Sequence, residues 1–145
     1  MIFRYYVDEI IVIDGDTFDV RLDIGMGLKI EESQVRLIGV NTPETRTRNK
    51  REKSCGLKVK NLVRRWFLDN MLIRRMLFTS QKFKRREKYG RLLGDFKPEI
   101  EGIMYSLSGL LLKNRLCKEY DGGKKKSWTD EELTIIEKYE KEVLE

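Results

Sequence analysis

The chain has 145 residues, with 30 Lys+Arg against 24 Asp+Glu for a formal charge of +6, and is 40% hydrophobic and 37% charged. That length suits one domain; the apolar content is too high for a disordered chain, and no apolar run nears the ~18 residues of a membrane span. Histidine is absent, which excludes His-ligated zinc, Ser-His-Asp triads and imidazole acid–base chemistry.

Residues 3–13 are rich in aromatic and β-branched types and predict a strand that ends at the Asp14-Gly15-Asp16 turn. Over residues 17–24, Thr17, Asp19, Arg21 and Asp23 alternate with Phe18, Val20, Leu22 and Ile24, the period of a half-buried strand. Gly25 and Gly27 open a hairpin connection whose returning strand is predicted at 34–40, followed by the Asn41-Thr42-Pro43-Glu44 loop. Residues 52–69 switch to helical spacing, with Cys55, Val59, Leu62, Val63 and Trp66 on one face. Two further strands are predicted at 71–79 and 91–96, then a helix at 104–116 and a last one at about 130–143. Thr129 with Glu132 three residues on reads as the capping box of that last helix, whose Ile135, Ile136, Tyr139 and Val143 are expected to pack against the barrel. Three strands, a helix and two strands is the element order of the OB-fold, so the fold class is α+β: a five-stranded OB-fold β-barrel with about three helices in one domain spanning 1–145.

The charge is uneven. Residues 130–145 hold seven acids and two lysines, which leaves +11 on the rest. Basic residues cluster at 46–65, at 82–91 and at Lys124 to Lys126, with Tyr89, Tyr120 and Trp128 beside them. Three such clusters favour a polyanion partner, although any single lysine is more simply a solvated surface residue. Two cysteines, Cys55 and Cys117, fit a reducing compartment, with one bridge left open. No basic stretch followed by an apolar one begins the chain, so a cytoplasmic location is expected.

Four groups of residues at strand ends carry candidate chemistry. Asp16 offers a hard oxygen ligand, Asn41 and the Thr42 carbonyl offer others, and such oxygens suit Ca²⁺. Glu44 is the acid of its loop, able to take a proton from water, while Arg36 and Arg91 carry forked donors for a phosphodiester. Each has a plain alternative: Asp-Gly-Asp-Thr is also an ordinary turn, and Thr-Pro-Glu an ordinary helix or turn start.

Together VIDGDT (12–17), VRLIGVNTPET (35–45), EKYGR (87–91) and LCKEYDGGKK (116–125) resemble the staphylococcal nuclease (thermonuclease) family, in the family order and over roughly residues 4–128. The resemblance implies a Ca²⁺-dependent phosphodiesterase that cuts DNA and RNA with little base preference and leaves 3′-phosphate ends. By the same resemblance, Asp16, Asn41 and the Thr42 carbonyl are metal ligands, Asp14 stands behind them, Glu44 is the general base, and Arg36 and Arg91 bind phosphate. Lys88, Tyr89 and Tyr120 match nucleotide-contacting positions, and Lys124 is added to these as a basic contact. The expected cofactor is Ca²⁺, with Mn²⁺ also suited to oxygen-only ligands. The expected partner is DNA and/or RNA, bound by a monomeric cytoplasmic or phage-encoded relative. Asn41 departs from the aspartate that the best-known members carry, which removes one negative charge and predicts weak Ca²⁺ binding in the absence of nucleotide. A catalytically weak or inactive nucleic-acid-binding OB module is the second reading, and a protein-interaction domain with an acidic tail helix the third.

Overall fold

Alternation of large apolar with polar side chains sets up the first two strands, β1 (Phe3–Asp14) and β2 (Thr17–Gly25), as an antiparallel hairpin closed at Asp14 and Thr17. A computed structural model describes residues 3–80, 91–102 and 104–145 of the chain. The predicted inward set Phe18, Val20 and Leu22 is buried, while Ile24 runs out past the core and is exposed. The return strand β3 (Leu28–Leu37) begins six residues before its predicted start at 34. The correction has a simple cause: Glu31 and Glu32 look like a loop, yet Arg21 binds Glu31 across the ladder and holds this solvent-facing stretch in register.

The short β4 (Val40–Asn41) precedes α1 (Lys50–Met71), longer than the predicted 52–69 because Asn49 caps it by accepting a hydrogen bond from the Glu52 N–H. Residues 71–75, predicted as strand, are instead the helix end and a turn, and β5 is Met76–Ser80. The next strand, β6, is Leu93–Pro98 rather than 91–96. β1, β2, β3, β6 and β5 close a barrel in that order, all pairs antiparallel except the parallel β3–β6. With three helices outside, this is the expected five-stranded α+β barrel of OB type. Phe67 of α1 meets Phe18 of β2 and Phe96 of β6 edge-on at 5.5 and 5.1 Å, so the helix stops the barrel mouth with aromatic surface. Each such ring, once buried, contributes roughly 1.5–3 kcal/mol from desolvation.

Helix α2 (Leu107–Lys113) is shorter than the predicted 104–116, because Ser106 caps it and Asn114 ends it. A two-residue strand that sequence patterning misses, β7 (Lys118–Glu119), pairs with β4. The capping box at Thr129 and Glu132 is present, but α3 (Asp130–Glu137) stops six residues before the predicted end at 143. Tyr139 donates its hydroxyl to the Val143 carbonyl, and the chain turns so that Leu144 is buried instead of Val143. Of the predicted packing set, Ile136 is buried in the core and Tyr139 packs against it, whereas Val143 is exposed. Helix α3 packs on α1, where Arg51 binds Asp130 and Glu137 and the Cys55 thiol faces the Leu133 carbonyl. Both cysteines are free and buried, and burial pushes the Cys117 thiol up to about 12, which makes it inert.

Candidate active site

Asp16 closes the β1–β2 turn and points inward, with only 4% of its surface exposed. A carboxylate so placed needs partners. The Thr17 hydroxyl donates to its Oδ1 at 2.9 Å, and the Thr42 N–H donates to Oδ2 at 2.9 Å. Arg36, equally buried, reaches the same Oδ2 with Nη1 at 2.7 Å and directs Nη2 toward the Val40 carbonyl at 3.4 Å. Ladder register explains the pairing, because Thr17 and Arg36 are opposite one another across β2 and β3.

Arg91 arrives by the parallel pairing. The Arg36 N–H donates to the Leu92 carbonyl at 2.9 Å and Arg36 pairs with Leu93, so the start of β6 brings half-buried Arg91 to the strand that carries Arg36. Lys88 and Tyr89 lie outside the described residues.

The loop that carries Glu44 is pinned between the first turn and α1. A Cβ on Gly15 would meet Val59 Cγ1 of α1 at 2.8 Å, and one on Gly56 would meet the Pro43 and Glu44 carbonyl oxygens at 2.7 and 2.8 Å. Only hydrogen fits at either glycine. Glu52, the acid in the basic first turn of α1, turns back to accept from the Glu44 N–H at 3.1 Å. Replacing Gly56 with Ala is expected to lower stability by about 1–2 kcal/mol, the overpacking cost outweighing the better helix propensity of Ala. Thermal unfolding followed by circular dichroism checks this, and a melting temperature that rises would show the loop free to move away.

Asp14 accepts a hydrogen bond from the Thr45 hydroxyl. Burial, together with the nearby Asp16 and Glu44 carboxylates, raises the Asp14 carboxyl above its ordinary range. Two buried oxygens of the adjoining loop, Asn41 Oδ1 and Thr42 Oγ1, have no hydrogen-bond partner among the described residues. Such an orphan costs roughly 1–3 kcal/mol, so these atoms fit a ligand that takes up oxygens. Among the described residues no three His, Cys, Asp or Glu side chains converge to hold a metal. A cation bound near the Asp16 carboxylate would need oxygens other than clustered acids, and the Asn41 amide oxygen is a candidate. Hard, flexible oxygen coordination of that kind suits Ca²⁺.

Glu44 lies at the edge of this group, half-buried, and its Oε1 is 3.2 Å from Lys125 Nζ. Tyr120 follows β7; its N–H donates to the Gly39 carbonyl at 2.9 Å, and its ring lies 5.5 Å from the Arg36 guanidinium and 5.9 Å from Lys125. A cleft of about 590 Å³ opens here, lined by Asn41, Lys118, Tyr120, Lys124 and Lys125 among others. Trp128, grouped in the sequence with possible nucleic-acid contacts, instead packs against the core under the Lys118 ammonium. Sequence reasoning passed over Lys118 and Lys125. The Lys124–Lys126 run was a signal for the second, but nothing local distinguishes its middle lysine.

The model of the staphylococcal nuclease homologue family matches residues 34–142. The chain belongs to the staphylococcal nuclease homologues. No curated protein matches it. The match of this nuclease homologue begins at Gln34, after the first hairpin, so Asp14 and Asp16 lie outside it, and the hydrogen bonds of Asp16 to Thr42 and Arg36 tie the first turn to the matched region. No described helix of this family member is long and apolar enough to cross a membrane.

Proposed function

We propose that this protein is a Ca²⁺-dependent phosphodiesterase that hydrolyses DNA and/or RNA with little sequence preference. The observation that carries the reading is the buried Asp16–Arg36 pair set against the orphaned Asn41 oxygen, with the Glu44 carboxylate at its edge. A phosphate-binding cation, a metal-binding acid and a proton acceptor in one place are the electrostatics that attack on a phosphodiester requires.

Asp16, Asn41 Oδ1 and the Thr42 carbonyl would hold Ca²⁺, and Mn²⁺ suits the same oxygens. When bound, the ion supplies positive charge that polarises the phosphoryl oxygen. Glu44 accepts a proton from the attacking water. Arg36 and Arg91 hold the non-bridging oxygens and offset the charge that grows as the water attacks. Arg36 is positioned for this before substrate arrives, since Asp16 and the β3 ladder hold it in place. The basic segment at 46–65 and Lys124 add sequence-independent attraction for the backbone. Lys88 and Tyr89 belong to this reading only through the family resemblance, as does a monomeric state.

Incubation with plasmid and single-stranded DNA, with Ca²⁺ or with chelator, tests the proposal; cleavage that requires Ca²⁺ is the expected result. Binding without cleavage under every condition would leave a nucleic-acid-binding module instead. Because the buried carboxylate is already paired with Arg36 and Asn41 adds no charge, Ca²⁺ binding by the free protein is expected to be weak, with Kd on the order of 10⁻³ M. Isothermal titration should find that Asn41→Asp tightens it by about tenfold. Micromolar binding by the wild type would contradict the assignment of these ligands.

A further inference from the structure

Lys125 is tied to Glu44 across a long stretch of chain, and the loop that carries it is built rather than loose. Lys118 Nζ donates to the Lys126 and Ser127 carbonyls at 3.1 and 3.0 Å while resting over the Trp128 ring, which fixes the loop just after Lys125. The Tyr120 hydroxyl donates to the Gly123 carbonyl at 2.8 Å and fixes it just before. Between these anchors Lys124, Lys125 and Lys126 are all exposed, yet among the described residues only Lys125 pairs with a carboxylate. Its partner is the acid that the phosphodiesterase reading uses as proton acceptor, and its ammonium also lies by the Tyr120 ring that touches Arg36.

We propose that Lys125 is a substrate-contacting residue held in readiness by Glu44: its ammonium neutralises the carboxylate in the free protein and moves to a backbone phosphate when a polynucleotide binds. The inference rests on the phosphodiesterase reading. An approaching polyanion is repelled by a bare Glu44, and an anchored lysine beside it cancels that charge during approach. The pair is about two-fifths exposed on each side, and an ion pair in such a setting holds its partners by no more than about fivefold, weak enough to give way to phosphate. The lysine stem is long and flexible, so its ammonium shifts while the anchored backbone stays. Once it has moved, the carboxylate oxygen it covered is open to take a proton from water.

A double-mutant cycle on oligonucleotide binding tests this without turnover. The probe is a fluorescein-labelled single-stranded DNA in chelator, followed by anisotropy against wild type, Lys125→Met, Glu44→Gln and the double variant. Repulsion between Glu44 and DNA cancels in the cycle, which leaves only the change in the Lys125–Glu44 contact on binding. Lys125→Met is expected to weaken binding by about threefold in the wild-type background and about tenfold in the Glu44→Gln background, because only in the former must the lysine leave a partner. The salt dependence of log K should also fall by about 0.7, the release of one counterion from single-stranded DNA. Equal losses in both backgrounds, or an unchanged salt slope, overturn the inference. If the wild type still cleaves DNA with Ca²⁺, the inference falls alone; if it neither binds the oligonucleotide nor cleaves DNA with Ca²⁺, the phosphodiesterase reading falls with it.

Discussion

Glu44→Gln is expected to lower DNA turnover by about 10²–10⁴, the usual contribution of a positioned general base. The substitution keeps the side chain's size, and the loop's anchors are untouched, since the backbone of residue 44 is held by Glu52 Oε2 and by close packing on Gly56. Stability should therefore change little. Removing a negative charge from the mouth of the site should strengthen DNA binding, so the variant is expected to bind as well as the wild type or better while cutting far more slowly. Single-turnover cleavage in Ca²⁺, paired with binding in chelator, separates the two effects. Undiminished cleavage by the glutamine variant would remove Glu44 from the chemistry.

Arg36→Met has the second large effect, and it reaches both fold and function. Arg36 is the partner of a carboxylate as buried as itself, and removing one member of such a pair typically costs about 3–5 kcal/mol because the other is left uncompensated. Against a typical total of about 5–15 kcal/mol, that is roughly a fifth or more of the whole. On the proposed phosphodiesterase reading, losing Arg36 as a phosphate donor is expected to cost a further ~10²–10³ in rate. Arg36→Met combined with Asp16→Leu isolates the stability contribution: much of the loss should be recovered, since an apolar pair replaces a buried charge left alone, less about 1–3 kcal/mol for the Thr42 N–H that loses its acceptor. Urea denaturation of both variants reads the first effect and cleavage under folding conditions the second. An Arg36→Met protein as stable as the wild type would show that Asp16 finds its compensation elsewhere.

Local patterns were legible wherever one physical rule acted over a few residues. The alternation at 17–24 encoded the buried face of β2, and Thr129 with Glu132 encoded the capping box that starts α3. Boundaries failed where tertiary partners decided them. Val143 continues a helical spacing, but Leu144 is the better occupant of the core and the Tyr139 hydroxyl turns the chain toward it, so α3 ends early. The apolar run at 71–79 carries strand-forming residues in its first half too, yet α1 continues through Met71 because the face above it packs on the barrel. In β3, Glu31 and Glu32 hid strand residues behind a loop-like composition that Arg21 compensates.

By itself the sequence determined the order of the five barrel strands and three helices, most of the inward set of β2, the basic character of the chain outside the acidic tail, the exclusion of imidazole chemistry and a family resemblance. These are properties of neighbours along the chain or of composition. Only the tertiary structure decided that Asp16 and Arg36 share a hydrogen-bonded pair, that Arg91 lies just ahead of a strand parallel to β3, that the Asn41 oxygen is buried without a partner among the described residues, and that Lys125 meets Glu44. The reason is that barrel closure brings segments into contact that are remote in the chain, and which side chains then meet depends on register and on close packing at Gly15 and Gly56, neither of which leaves a periodic signal.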